Sequence, residues 1–230
     1  MATAALFGCT GAVGSEILSA LLAPTTSAFA SVKTVSRRPP AATSPKLQAI
    51  QEADTAKWGG LIATLSSPPP SVVFNAVGTT RAAAGGIAEQ WKIDHDLCVE
   101  NAKAAKAAGV KTYVFISSAG TRNFPSSMAP YCKMKNGVED AIKELGFEHA
   151  VIVKPGMIIA REKSKAWLAE KAVETMPQFA RDRLGQDASV IGRAAVAAAQ
   201  MVEEGKAPSK YWEIGMADIL KMGREEWQKQ

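Results

Sequence analysis

The chain has 230 residues, 47% of them hydrophobic and 21% charged, a composition that suits one globular domain with a sizeable core. Its formal net charge of +5 comes from basic residues scattered along the chain. No arginine-rich tract or aromatic-interleaved patch supports a nucleic-acid partner. Three cysteines without CxxC pairing (Cys9, Cys98, Cys132) argue against a disulfide framework, and His95 and His149 lack partners at metal-ligand spacing. No stretch approaches the length of a membrane-spanning helix, and an N-terminus that enters an apolar run at once is expected to carry no cleavable signal.

That run, Thr3 to Phe7, is long enough for one buried strand. Gly8, Gly11 and Gly14 follow, and then an amphipathic stretch with Ile17, Leu18, Leu21 and Leu22 on one face. A strand, a glycine turn and a helix in this order make a phosphate cradle. The first glycine permits the sharp turn, the second lets backbone N–H groups approach a pyrophosphate, and the third lets helix and strand pack closely. Thr10, Ala12 and Val13 lie within the same turn and join the glycines as candidate cofactor contacts. A glycine turn without a ligand is the competing reading.

Val32 and Val35 mark a second strand that ends in Ser36-Arg37-Arg38 before Pro39-Pro40. Rossmann domains that prefer NAD end this strand in an acid that accepts hydrogen bonds from the ribose hydroxyls. An acid repels a 2′-phosphate; arginine pairs with it, and serine adds a hydrogen bond. The arginines fall close to the roughly 20-residue distance from the glycine motif at which this contact is made. The sequence therefore argues for NADP(H) over NAD(H), against the alternative that Arg37 and Arg38 are solvated turn residues.

Residues 41–60 are polar, with a short helix expected near Lys46–Ala53; Leu61–Leu65 are expected to be a third strand and Pro68 to Pro70 a stiff loop. Val72 to Val77 read as a buried fourth strand ended by Gly78. Ligands of an open parallel sheet sit beyond the carboxyl ends of the strands, so Ala76, Val77, Gly78 and Thr79 belong beside the cofactor. Arg81 and Gly85-Gly86 read as a loop flanking the site. Gln90 to Ala108 is a long helix stopped by Gly109, and Thr112 to Ser117 a fifth strand ending in the pair Ser117-Ser118. The alternation βαβαβ predicts an α/β fold with a doubly wound parallel sheet.

Tyr131 and Lys135 are four residues apart, on one face of a helix, downstream of Ser118. Hydride transfer to or from a carbonyl needs a proton donor or acceptor at its oxygen. A free tyrosine, titrating near 10, is a poor base at neutral pH, and a neighbouring lysine favours its phenolate. These residues give a catalytic set: Tyr131 as acid/base, Lys135 as its electrostatic partner and nicotinamide-ribose ligand, and Ser118 as anchor of the substrate oxygen. Ser117, Tyr131 and Lys135 also count as cofactor contacts. On spacing alone, Tyr131 and Lys135 also read as an exposed helix face; the glycine turn and the serine-ended strand favour the chemical reading. Lys154-Pro155-Gly156 interrupts the sixth strand, so that Pro155 and Gly156 shape a turn while Met157 and Ile158 offer apolar cover to the nicotinamide.

With these residues in hand, the chain resembles the short-chain dehydrogenase/reductase superfamily in its atypical branch. More narrowly, it is similar to the fungal "found in mitochondrial proteome" family, relatives of the animal Tat-interacting-protein oxidoreductases. GCTGAVG, SRRP, VGTTRAAAGG, QWKID, ISSAG, YCKMK, FEHAVIVKPGMI and QDASVIGRAAV carry the resemblance. It implies an NAD(P)-binding Rossmann fold and NADP(H) held by Gly8, Gly11, Gly14, Arg37 and Arg38. It implies catalysis by Ser118, Tyr131 and Lys135, and peripheral residence at the cytosolic side of the mitochondrial outer membrane, with the cytoplasm as the alternative. Many extended members carry an asparagine in the long helix that helps a proton relay; the matching residue here is Asp94.

The chain is expected to be a single Rossmann domain over 1–230, with residues 157–190 and 205–230 forming a small substrate lid. Arg161, Trp167 and Phe179 are candidates to line it. Ile191–Glu204 reads as a helix, Tyr211–Ile214 as a seventh strand, and Ala217–Trp227 as a closing helix. In a homodimer the long helix of residues 90–108 and the Tyr131 helix are the faces expected to meet. The functional expectation is an NADP(H)-dependent oxidoreductase acting on a small-molecule carbonyl or alcohol. The rival is an NADPH-binding regulatory or scaffold protein with little turnover, and an epimerase using tightly held NAD is disfavoured by Arg37-Arg38.

Overall fold

The computed structural model describes residues 2–24, 26, 28–64, 69–159 and 185–227. The strands are β1 (Ala2–Phe7), β2 (Phe29–Ser36), β3 (Leu47–Gln51), β4 (Val72–Asn75), β5 (Thr112–Ile116), β6 (His149–Val153), β7 (Met157–Ile159), β8 (Gly185–Asp187) and β9 (Tyr211–Ile214). Seven of them form one wholly parallel sheet in the order β3-β2-β1-β4-β5-β6-β9, while β7 and β8 pair separately. The chain winds one way from β1 to β3 and the other way from β4 to β9. The strand order therefore reverses between β1 and β4, where a crevice opens at the carboxyl ends of both.

Helices cover both faces, which is why the strands read as apolar runs. Helix α1 (Ala12–Leu22) and helix α7 (Ala188–Glu203) lie on one face. Between them in chain order come α2 (Trp58–Thr64), α3 (Arg81–Ala84), α4 (Ile87–Trp91), α5 (Leu97–Ala107) and α6 (Pro130–Leu145). Of these, α2, α5 and α6 cover the other face. The period of two in β1 sorts its side chains: Ala4 and Leu6 join the α1–α7 core, Ala5 and Phe7 the opposite one. Aromatic contacts tie the second layer down, with Phe7 stacked on Trp58 at 5.8 Å and Tyr113 on Phe147 at 5.0 Å.

Two expected elements exchange identities. The segment near Lys46–Ala53 is not a helix but strand β3, and Leu61 lies not in a strand but in helix α2; Leu65 falls outside the described residues. Leu47 and Ile50, three apart, look like one helical face. Paired on β2 they point to opposite sides of the sheet, Leu47 to the α1–α7 core and Ile50 to the α5 core. In α2, Trp58 and Ile62 are four apart and both buried, so one helical face carries both. The third strand of the fold is therefore β3.

The long helix expected over residues 90–108 runs as α4, a π-turn at Lys92–Asp96, and α5. Residues expected in the lid are divided. Residues 160–184, with Arg161, Trp167 and Phe179, lie outside the described residues. Tyr211–Ile214 is the sheet's edge strand beside β6. Ile219, in helix α8 (Met216–Leu220), and Met222, in a π-turn at Lys221–Glu226, are buried in the α1–α7 core. No helix among the described residues is long and apolar enough to cross a membrane.

Candidate active site

The turn after β1 is shaped by sterics that only glycine meets. Gly8 has φ +83°, and a Cβ there would stand 2.7 Å from the backbone of Ala76. A Cβ on Gly14 would stand 2.0 Å from the Gly8 carbonyl oxygen, so the first turn of α1 packs directly on the strand's exit. Gly11 N–H donates to Gly8 O at 3.0 Å, and Gly11 caps α1 without a side chain. The helix N-terminus therefore faces the crevice with free backbone donors and the positive end of its dipole.

Two contiguous clefts open there. The first, about 350 Å³, runs from Gly8, Thr10 and Gly11 to Ser36, Arg37 and Arg38 at the end of β2. Neither arginine side chain has an ion-pair partner among the described residues. Ser36 Oγ donates to Arg38 O at 2.7 Å and holds that strand end. The second cleft, about 470 Å³, runs from Ala12 and Val13 to Thr79, Ser117, Tyr131, Lys135 and Ile158. Gly11, Ala76, Val77 and Gly78 line both.

The Ala76–Thr79 floor is fixed from beneath. Asn75, fully buried, accepts from Val77 N–H at 3.1 Å and donates to Tyr113 OH at 3.0 Å. Burial holds the Tyr113 phenol well above its ordinary value, so it stays protonated. Asp94, in the π-turn, accepts from Thr79 N–H at 2.7 Å and from the Gln90 amide at 2.9 Å. Cys98 lies below; burial pushes its thiol up to about 11, so it is an inert packing group.

Tyr131 and Lys135 both line the second cleft, one turn apart on α6, as their spacing requires. Tyr131 is 39% exposed and open to a ligand. Lys135 is buried; its Nζ donates to Ile116 O at 3.0 Å and lies 4.8 Å from the Phe115 ring centroid. An ammonium has three donors, so two remain free. Of the serine pair, Ser117 lines the cleft and its hydroxyl donates to Glu139, whereas Ser118 is half-buried and lines neither cleft. Pro155, Gly156 and Met157 also lie outside the lining, while Ile158 is part of it. The turn is tied to the serine strand by Ala119 N–H on Pro155 O at 2.7 Å.

A family model described as NAD(P)H-binding matches residues 8–201. The chain is 68% identical to the mitochondrial protein fmp52-2 of Aspergillus terreus over the full length of both. It is 52% identical to mitochondrial fmp-52 of Neurospora crassa, covering 98% of this chain and 96% of the relative. The chain belongs to the FMP52 family. Among solved structures, this FMP52 protein is similar to MoeE5 in complex with UDP-glucose and NAD, at 16% identity and a TM-score of 0.68 over 97% of this chain and 81% of that one. It is also similar to UDP-glucuronic acid 4-epimerase from Bacillus cereus in complex with NAD, at 15% identity and a TM-score of 0.66 over 99% and 85%. At that identity the likeness shows the fold alone, a Rossmann-like parallel sheet flanked by helices.

The FMP52 fold fits a dinucleotide on its own geometry. The glycine cradle is space that a Cβ would fill, and the paired clefts run from one strand end to the other across the switch point. Sequence reasoning missed one wall of the first cleft: Ala53, Thr55 and Trp58. Its signal was present in Asp54, whose carboxylate caps the 3₁₀ turn Thr55–Lys57 that leads into α2. Sequence reasoning also missed Gln90, Ile93 and Leu97, because the π-turn changes which helix positions share a face.

Proposed function

We propose that this FMP52-family chain is an NADP(H)-dependent oxidoreductase acting on a small carbonyl or alcohol. The observation that carries the cofactor choice is the pair Arg37 and Arg38. Both line the first cleft at the end of β2, beside the Ser36 hydroxyl and across from the glycine turn, with guanidinium groups free to pair with a 2′-phosphate. Bound NADPH would supply the hydride. The chain's own residues handle the proton: Tyr131 OH gives it to the substrate oxygen, and the Lys135 ammonium stabilises the phenolate left behind. The two free donors of Lys135 suit the hydroxyls of the nicotinamide ribose. Ser118 is proposed to anchor the substrate oxygen on the family resemblance, although it lines neither cleft; the Ser117 hydroxyl, in the second cleft, donates to Glu139. The mitochondrial names of the relatives support a mitochondrial location, and the family resemblance supports the cytosolic side of the outer membrane.

Thermal unfolding with NADPH and NADH in parallel tests this. A ligand at about 100 times its Kd adds roughly 2.7 kcal/mol. For a chain of this size that raises the midpoint by roughly 5–10 °C. The expected result is a rise with NADPH, a smaller one with NADH, and loss of the difference in Arg37→Ala/Arg38→Ala. No rise with either nucleotide would remove the cofactor reading. Equal rises with both, unchanged in the double variant, would remove the preference for NADP(H).

A further inference from the structure

Glu139 lies in the middle of α6, one turn beyond Lys135, with no exposed surface. A carboxylate so placed needs partners, and its partners come from three separate segments. Its Oε1 accepts from the Ser117 hydroxyl at the end of β5. Its Oε2 accepts from Arg122 Nη2 at 3.2 Å and Nε at 3.3 Å, in the loop that leads into α6. The same oxygen meets Lys154 Nζ at 3.2 Å, at the end of β6. An outer ring completes the cluster, with Arg122 on Asp140 at 2.6 Å and Lys154 on Glu213 of β9 at 2.8 Å. Three carboxylates surround two cations, and Tyr211 OH donates to the Glu139 backbone carbonyl at 3.5 Å.

Each segment held by Glu139 carries part of the nicotinamide half of the site. Ser117 lines the second cleft and precedes Ser118. Arg122 belongs to the loop that leads into α6, whose first turn carries Tyr131. Lys154 opens the turn that leads through Pro155 and Gly156 to Ile158, and Ile158 lines the cleft. Lys135 adds a parallel tie, from α6 to Ile116 O in the same strand end. Thus α6 is fastened to the β5 end by two successive inward side chains, and among the polar contacts of the described residues Glu139 extends the fastening to Lys154, just beyond β6. The adenosine half of the site, at Gly8 and the end of β2, shares none of these contacts.

We infer that Glu139 is a positioning residue for the nicotinamide half of the cofactor site: it sets the spacing of the β5 end, the α6 start and the Lys154-Pro155-Gly156 turn without touching the ligand. The inference rests on the cofactor reading above.

The test compares wild type and Glu139→Gln, titrated by calorimetry with NADP⁺ and with 2′,5′-ADP, which carries the phosphorylated adenosine half and lacks the nicotinamide. The glutamine keeps the shape and an oxygen for Ser117 but loses the charge that holds Arg122 and Lys154. The expected result is 2′,5′-ADP affinity within twofold of wild type and NADP⁺ affinity at least tenfold weaker. A purely structural role would change the melting point and leave the ratio of the two affinities alone. Parallel changes, or no change, in a folded Glu139→Gln overturn the proposal, as does a wild type that binds NADP⁺ no more tightly than 2′,5′-ADP. A wild type that binds neither ligand overturns the cofactor reading and this inference with it. Should Glu139→Gln not fold, Lys154→Gln decides. It removes one tie at a partly accessible side chain, and a selective loss of NADP⁺ affinity of at least threefold is expected; unchanged selectivity overturns the proposal.

Discussion

Tyr131→Phe is expected to abolish turnover of any carbonyl substrate the wild type reduces, while NADPH raises the melting midpoint as before. The substitution removes one oxygen from a side chain that is 39% exposed at the second cleft, so folding loses little. What disappears is the proton at the substrate oxygen, and positioned acid/base groups contribute about 10²–10⁴-fold in rate. Lys135 cannot replace it: its Nζ is drawn inward to Ile116 O, on the strand side of the helix. The measurement is NADPH oxidation against aldehydes, ketones and quinones, read beside thermal shifts on the same samples. A Tyr131→Phe variant that keeps most of its turnover would take the phenol out of the chemistry. A wild type that binds NADPH and reduces nothing on the panel would move the regulatory or scaffold reading to first place.

Gly14→Ala is expected to lose at least about 3 kcal/mol of stability, well beyond ordinary overpacking. Helix propensity alone predicts the opposite sign, because alanine is favoured over glycine in a helix by roughly 1 kcal/mol. Sterics win here because the added Cβ would sit 2.0 Å from Gly8 O and 2.7 Å from Gly8 C, backbone atoms with no rotamer to yield. Gly60→Ala is the matched comparison. It lies in α2, exposed, with nothing within 4 Å of an added Cβ, so propensity acts unopposed and a gain of about 0.5–1 kcal/mol is expected. Urea unfolding of the two variants checks both signs. A Gly14→Ala protein as stable as wild type would mean that α1 can lift from the turn at little cost.

The glycine turn, the arginine pair, the Ala76–Thr79 strand end and the Tyr131–Lys135 face could be read because each rests on local rules: steric permissiveness, charge type, strand polarity and helical period. What could not be read depends on packing between distant segments. Leu47 and Ile50 fit a helix as well as a strand until β2 is present to pair with them. Glu139 looks like one more charge on an amphipathic helix; only the approach of β5, β6 and the Arg122 loop makes it a buried centre. That the Ser117 hydroxyl donates to Glu139, 22 positions away in the chain, could likewise not be read from the sequence.

The π-turn at Lys92–Asp96 puts a constraint on the length of this helix. Each residue of an α-helix turns the chain by about 100°. Deleting any one residue from 92–96 would restore ordinary helical hydrogen bonding and, in that local sense, improve the segment. Removing Lys92 or Ile93, however, would shorten the Gln90–Asp94 spacing from four positions to three. Gln90 and Thr79, which share the Asp94 carboxylate, would then lose the geometry in which both reach it. The less regular helix is the one that keeps the floor in place, so residue count in this segment is as much a part of the site as residue identity.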